Sequence, residues 1–220
     1  MSEPYVIYIL AGILITGGIS FYLVIRYEKA RREALRKIAL RLEFSYEKEF
    51  TPGPGLQKLK LFNKGHSRKA SNLLTGERHG VSYKIFDYRY TVGGGRNSHT
   101  FRQTIAFALL TQANLPHFIL APENFFHKIG EKLGFQDINF RDFPGFSQHY
   151  LLRGENVEAI RGLFKPRLLE YFQGKKFKTT LEGGGNSLIL FKHRKRIKPE
   201  DLEIFYHQFR EIIPFFAEHQ

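Results

Sequence analysis

The chain contains no cysteine in 220 residues, which removes disulfide scaffolds, Cys-ligated zinc or iron–sulfur centres and thiol nucleophiles together. That absence leaves the compartment open, because exported chains also lack cysteine. Glycine and proline, at 20 and 9, are too few for a collagen-like or low-complexity chain. Acid is scarce as well: 21 Asp+Glu against 34 Lys+Arg give a formal charge of +13 with the nine histidines neutral. Several chemical motifs are missing. There is no HExxH, and the histidines at 66, 79, 99, 117, 127, 149, 193, 207 and 219 include no i, i+4 pair. A GxSxG elbow, a loop ending in GK[ST] and an RNP1 consensus are also absent. No catalytic residue, cofactor or metal ligand is therefore assigned. What remains is a globular composition, 42% hydrophobic and 25% charged, at a length that suits one domain with an appendage.

The appendage is legible. YVIYILAGILITGGISFYLVI, from Tyr5 to Ile25, is 21 residues without a charge. As a helix it spans about 30 Å, the thickness of a bilayer core. Positive charge follows this run instead of preceding it, which argues against a cleaved signal peptide. Residues 26–43 carry seven bases, among them Arg26, Lys29, Arg31, Arg32, Arg36 and Lys37, against three acids. The positive-inside rule then places the C-terminal side in the cytoplasm, with those six bases proximal to anionic inner-leaflet headgroups. Tyr5, Tyr8, Tyr22 and Tyr27 lie where an interfacial aromatic belt is expected. Gly12, Thr16 and Ser20 share one helix face and would let a second copy approach as a homodimer.

Ala30, Ala34, Leu35, Ile38, Ala39 and Leu42 recur at helical spacing, so the basic segment continues as a helix to a stalk that ends at TPGPG, 51–55. Beyond it, Ala70–Glu77, Val81–Val92 and His99–Thr111 read as a three-stranded meander, followed by a strand at His117–Ala121. A helix is expected over PENFFHKIGEKLG, 122–134, then a strand at Gln148–Arg153 and a broken helix over Glu155–Lys165 and Pro166–Phe172. A hairpin of Lys176–Glu182 and Ser187–Lys192 and a last helix opening at Pro199 complete the chain. The expected fold is α+β: an N-terminal transmembrane helix followed by an antiparallel-sheet domain with packed helices. Its organisation is an anchor at 1–25, a basic juxtamembrane helix and stalk at 26–50, and a cytoplasmic α+β domain at 56–220.

The stretches NLLTGERHGVSYKIFDYRYT, RQTIAFALL, DINFRDFPGFSQHYLLRG and RGLFKPRLLEYF resemble a family of small bacterial single-pass membrane proteins carrying a cytosolic domain of unknown function. The resemblance spans most of the chain. It implies one tethered cytosolic domain at the bacterial inner membrane and brings no activity with it.

Three features invite a ligand. The GGG runs at 93–95 and 183–185 lie between strand-like segments and read as hairpin turns, Arg96 giving the first a cation. Alternation in YKIFDYRY puts Tyr83, Ile85, Asp87 and Arg89 on one face and Phe86, Tyr88 and Tyr90 on the other. A hairpin closed at 93–98 would bring Arg102 and Gln103 near Tyr90 and Arg89, so Asp87, Arg89, Tyr90, Arg96, Arg102 and Gln103 form the candidate ligand patch. The basic runs KKFK, 175–178, and KHRKRIK, 192–198, could grip nucleic acid, but a tethered domain has a nearer anionic surface in the lipid. The leading reading is a non-enzymatic, membrane-tethered binding or scaffold domain contacting a protein partner or anionic inner-leaflet lipid. The alternative is an enzyme acting on a lipid or cell-envelope substrate at the membrane surface. The alternative requires a buried polar pocket in which Asp87, Asp137 or Glu123 converges with a histidine.

Overall fold

A computed structural model describes residues 3–123 and 137–217. Helix α1 runs unbroken from Glu3–Leu42. Past Ile25 the chain supplies strong helix formers, Ala, Leu, Arg, Lys and Glu, so nothing interrupts the helix at the end of the apolar run. It closes on Glu43 in the left-handed region, with the Phe44 amide donating to the Ala39 carbonyl at 2.8 Å, a Schellman-type stop. From Tyr8 to Ile25 the apolar part of α1 is unburied, and α1 is a helix long and apolar enough to cross a membrane. Leu35, Ile38 and Ala39, by contrast, are buried in the body.

Among the described residues eight strands follow, all antiparallel: β1 (Ser45–Phe50), β2 (His66–Arg78), β3 (Val81–Val92), β4 (His99–Leu109), β5 (Leu115–Pro122), β6 (Tyr150–Gly154), β7 (Thr180–Gly185) and β8 (Ser187–Phe191). Their order across the sheet is β1-β2-β3-β4-β8-β7-β5-β6. Two short helices, α2 (Pro54–Gln57) and α3 (Lys60–Asn63), cover one face. The other face carries the body half of α1 together with α4 (Pro144–His149), α5 (Val157–Leu163), α6 (Pro166–Lys175), α7 (Leu202–Ile212) and α8 (Pro214–Ala217). The α+β expectation stands in this arrangement.

Both faces of the sheet are buried, so its central strands read as apolar almost throughout; all five residues of β8 are buried. On the α1 face Tyr83, Ile85, Leu188 and Leu190 join a large cluster with the C-terminal helices. On the other face Phe86, Tyr88, Tyr90, Ile189 and Phe191 pack with Leu59, Leu61 and Phe62. Gly185, at φ +60, makes the tight β7–β8 turn that its L-residue alternatives resist. Gly76 lies under the Phe44 ring, where a Cβ would come within 2.1 Å of it.

Several expected elements shift. Residues 45–50, assigned to a stalk, form edge strand β1 paired with β2. SYEKEF gives little strand signal because edge strands favour charge, which discourages further pairing. By packing, residues 31–50 therefore belong to the body. The strand expected from Gln148 begins at Tyr150, because Pro144 opens a helical turn first. The strand expected from Lys176 begins at Thr180, since Lys176 takes a left-handed conformation at the end of α6. The helix expected over 122–134 lies almost wholly outside the described residues.

Candidate functional site

The site lies where α1 leaves its apolar segment and meets the sheet. Arg31 falls on the same α1 face as Leu35, Ile38 and Leu42, at i+4, i+7 and i+11, so it points inward with them. It is 4% exposed and cannot be lipid-proximal, which corrects that part of the sequence reading. A buried guanidinium needs a partner, and Asp87 of β3 supplies it. Arg31 Nε donates to Asp87 Oδ2 at 2.8 Å and Nη2 to Oδ1 at 2.7 Å, a bidentate pair. Arg31 Nη1 donates to the Ile197 carbonyl at 2.8 Å. The Asp87 carboxylate also accepts from Asn72 Nδ2 at 3.0 Å and from the Thr104 hydroxyl at 2.9 Å. Asn72 in turn accepts from the Tyr46 hydroxyl, and the Thr104 hydroxyl accepts from the Ile197 amide. One buried network thus joins α1, β1, β2, β3, β4 and the segment after β8.

Around this network opens a cleft of about 290 Å³ between α1 and strands β1–β4, lined by Val24, Glu28, Arg32, Lys48, Arg89 and Arg102, among others. Arg196 grips Glu28 through both oxygens, at 2.7 and 3.0 Å. Burial works against the Arg196 charge, but its bonds to Glu28 and the nearby Asp87 outweigh that and raise its pKa. Glu49 is held by Lys69 at 2.8 Å, which lowers the carboxyl pKa.

Strand direction sets which end of the body faces the apolar helix. Arg78 of β2 bonds the Leu42 carbonyl at the far end of α1, whereas Lys69 shares the cleft with Val24. β2 therefore runs with α1 and β3 against it, which puts the β3–β4 turn at the end of the sheet nearest the apolar part of α1. Arg96 stands there, exposed, in a short 3-10 turn over Gly95–Asn97. The 192–198 run borders the start of β4: the Thr104 amide donates to the Lys195 carbonyl at 3.3 Å, and Arg194 stacks on Phe101 at 3.8 Å.

The expected ligand patch divides. Arg89 pairs with Arg102, so these two share the α1 face with Asp87, but Gln103 pairs with Tyr88 and lies with Tyr90 on the opposite face. Gln103 is fully buried and its Oε1 accepts from the Arg194 amide at 3.0 Å. Arg26, Lys29, Arg36 and Lys37 are exposed and Arg32 is half-buried. Arg36 lies over the Tyr46 ring at 5.1 Å, and Lys37 stands about 18 Å along the helix beyond Ile25. The Thr16 hydroxyl donates back to the Gly12 carbonyl at 2.8 Å, and Gly12, Thr16 and Ser20 are all exposed.

The carboxylates reserved for an enzyme do not converge with a histidine among the described residues. Asp87 faces Arg31, Asp137 pairs with Arg153, and the Glu123 side chain is exposed. A carboxylate–histidine pair does exist elsewhere: buried Glu182 accepts from His117 Nε2 at 3.1 Å and from the amides of Lys60 and Leu61 at the start of α3. Its oxygens are occupied in fastening α3 to the sheet. Sequence reading missed Asn72, Thr104, Arg196 and Glu182. For Arg31 the signal was present, since it continues the apolar stripe of α1 by one helical step.

The fold has a solved counterpart. The chain is similar to the crystal structure of the mycobacterial trehalose monomycolate transport factor A, TtfA, with a TM-score of 0.59 over 84% of this chain and 96% of that one. Identity is 12%, so the likeness is one of fold. No protein-family model and no curated protein sequence matches the chain.

Proposed function

We propose that this protein is a non-catalytic binding domain, fixed to the bacterial inner membrane by α1, that presents the basic end of its sheet to anionic headgroups of the inner leaflet. The observation that carries the reading is the direction of β3: the turn bearing Arg96, the row through Arg89 and Arg102, and Arg26, Lys29 and Arg32 of α1 all lie toward the apolar helix. Exposed bases near an anionic surface contribute about 1 kcal/mol each, so several held together by a rigid junction orient the body. The Arg31–Asp87 network supplies that rigidity. The solved counterpart is a transport factor for trehalose monomycolate, which supports a membrane-associated role connected with the cell envelope.

Because the chain lacks cysteine, single labels test the orientation cleanly. The full chain carrying Asn97→Cys with a fluorophore, placed in nanodiscs containing headgroup-quencher lipid, is expected to lose fluorescence as phosphatidylglycerol is added. Salt should restore it, since screening acts over about 10 Å at 0.1 M. A label at Thr111→Cys, at the opposite end of the sheet, should stay bright. Equal quenching of both labels, or of neither, overturns the reading. So does an active alkaline phosphatase fused at the C-terminus, which would put the body on the other side of the membrane.

A further inference from the structure

Three basic side chains stand side by side on the sheet face that α1 covers. Lys69 of β2 lies opposite Arg89 of β3, and Arg89 lies opposite Arg102 of β4. Such cross-strand partners bring their Cβ atoms to about 4.5–5.5 Å, and like charges placed so are destabilising. Glu49 relieves Lys69. Arg89 and Arg102 form no ion pair among the described residues, and neither do Arg32 and Lys48 across the same cleft. Each acid in the lining is already taken: Glu28 by Arg196, Glu49 by Lys69 and Asp87 by Arg31. Four cations thus face one open cleft, Arg32 half-buried and Lys48, Arg89 and Arg102 exposed to solvent, with no carboxylate among its lining residues left to balance them.

The geometry points to a binding site for one phosphate ester in this cleft, with Arg89 and Arg102 donating paired N–H groups to its oxygens and Arg32 and Lys48 closing the other sides. Guanidinium forks match the spacing of phosphate oxygens, which a lysine row would not. The volume of about 290 Å³ suits a phosphate with a short polar substituent. Val24, in the last turn of the apolar segment, forms part of the wall. A phospholipid can therefore seat its headgroup with its acyl chains still in the bilayer, and a soluble phosphate ester offers the same group. The lipid source alone rests on the function proposed above.

The full chain in maltoside micelles, which contain no phosphate, decides the matter with two probes, glycerol-1-phosphate and micelle-dissolved phosphatidylglycerol. Calorimetry and thermal unfolding are expected to show one saturable site per chain and a higher melting temperature with ligand. Binding of only the lipid assigns the site to a bilayer headgroup, and binding of only glycerol-1-phosphate assigns it to a soluble ester. R89Q/R102Q should bind at least tenfold more weakly, gain no melting temperature from ligand, and without ligand melt higher than the parent because the like-charge row is gone. R102Q alone, at an exposed position, gives the same signs should the double variant fail to fold. K175Q/K178Q, outside the cleft, should bind as the parent does. Absence of saturable binding by either probe, or equal loss in both double variants, overturns the site. That failure would leave the Asn97 label free to report headgroup contact on its own.

Discussion

Two buried regions on the same face of the sheet are held by opposite means. Beneath α7 and α8, Phe118 meets Phe164 at 5.2 Å and Phe216 at 5.6 Å, and Phe146, Tyr150 and Phe172 continue the contact network. Beneath α1, Asp87 takes four donors from three elements within 3.0 Å. The aromatic region gains from burial in any well-packed arrangement, so it stabilises without choosing one geometry. The polar junction is satisfied in one arrangement only. Sliding α1 by one turn, about 5.4 Å, would put apolar side chains against apolar neighbours again but leave Asp87 without Arg31. The junction thus fixes how α1 is seated along the sheet.

Breaking each region separately gives the largest effects. Arg31→Ala strands a buried carboxylate and should destabilise the chain by about 3–5 kcal/mol. Phe118→Ala, at a fully buried position, should cost about 3–5 kcal/mol through lost burial and a cavity. Denaturant unfolding of the full chain in micelles measures both. They part company on repair: Arg31→Met with Asp87→Leu should be far more stable than Arg31→Ala alone, because no charge is left unpaired. If the double variant is as unstable as the single, the junction is more than a paired charge and the comparison fails.

The same contrast explains what the sequence allowed. Period-two alternation in 81–92 and the glycine turns after it fixed the meander, and YKIFDYRY sorted its side chains onto two faces as the structure has them. Local pattern suffices for such features. Sequence alone groups Arg31 with the surface bases, because charge beside a long apolar helix is usually exposed, and only the packing of α1 on β3 reverses that. Asn72 entered the network through the register shift between Ser71 and Leu74, where it adopts φ 55, and no local signal marks an asparagine for that role. Arg196 sat in a basic run whose Glu28 partner is 168 positions away. Glu182 and His117 meet only because β5 and β7 are neighbours.

A smaller effect sharpens the comparison through pH. His193 borders Phe101 near the start of β4, and burial, aided by Arg194 and Lys64, holds its pKa down at about 3 against an ordinary 6.5. Between those values the unfolded chain binds a proton that the folded chain refuses. Stability therefore rises with pH across this window and is lost as pH falls below about 6.5. His193→Gln should flatten the fall in unfolding midpoint between pH 7 and 5, whereas Phe118→Ala should shift the curve down without changing its slope. An unaltered slope in His193→Gln would mean that the imidazole is as free to charge in the fold as outside it.

The smallest effect comes from a second arginine–carboxylate pair on the same helix. Arg41 Nε donates to Glu203 Oε1 at 2.6 Å, tying the end of α1 to α7, as short a contact as any in the Asp87 network. Its side chains are 60% and 35% exposed, against 2% and 7% for Arg31 and Asp87. Water already solvates both partners of the exposed pair, so removing one strands nothing, and salt screens what attraction remains. Arg41→Ala should cost no more than about 1 kcal/mol, and less at high salt. Arg31→Ala should keep most of its cost when salt is raised, because the buried pair lies beyond the reach of counterions. The two substitutions share residue type, helix and partner chemistry, so the ratio of their costs isolates burial. A ratio near one would show that the charge at the junction is hydrated in solution, and would remove the reason for treating it as the element that fixes how α1 is seated on the sheet.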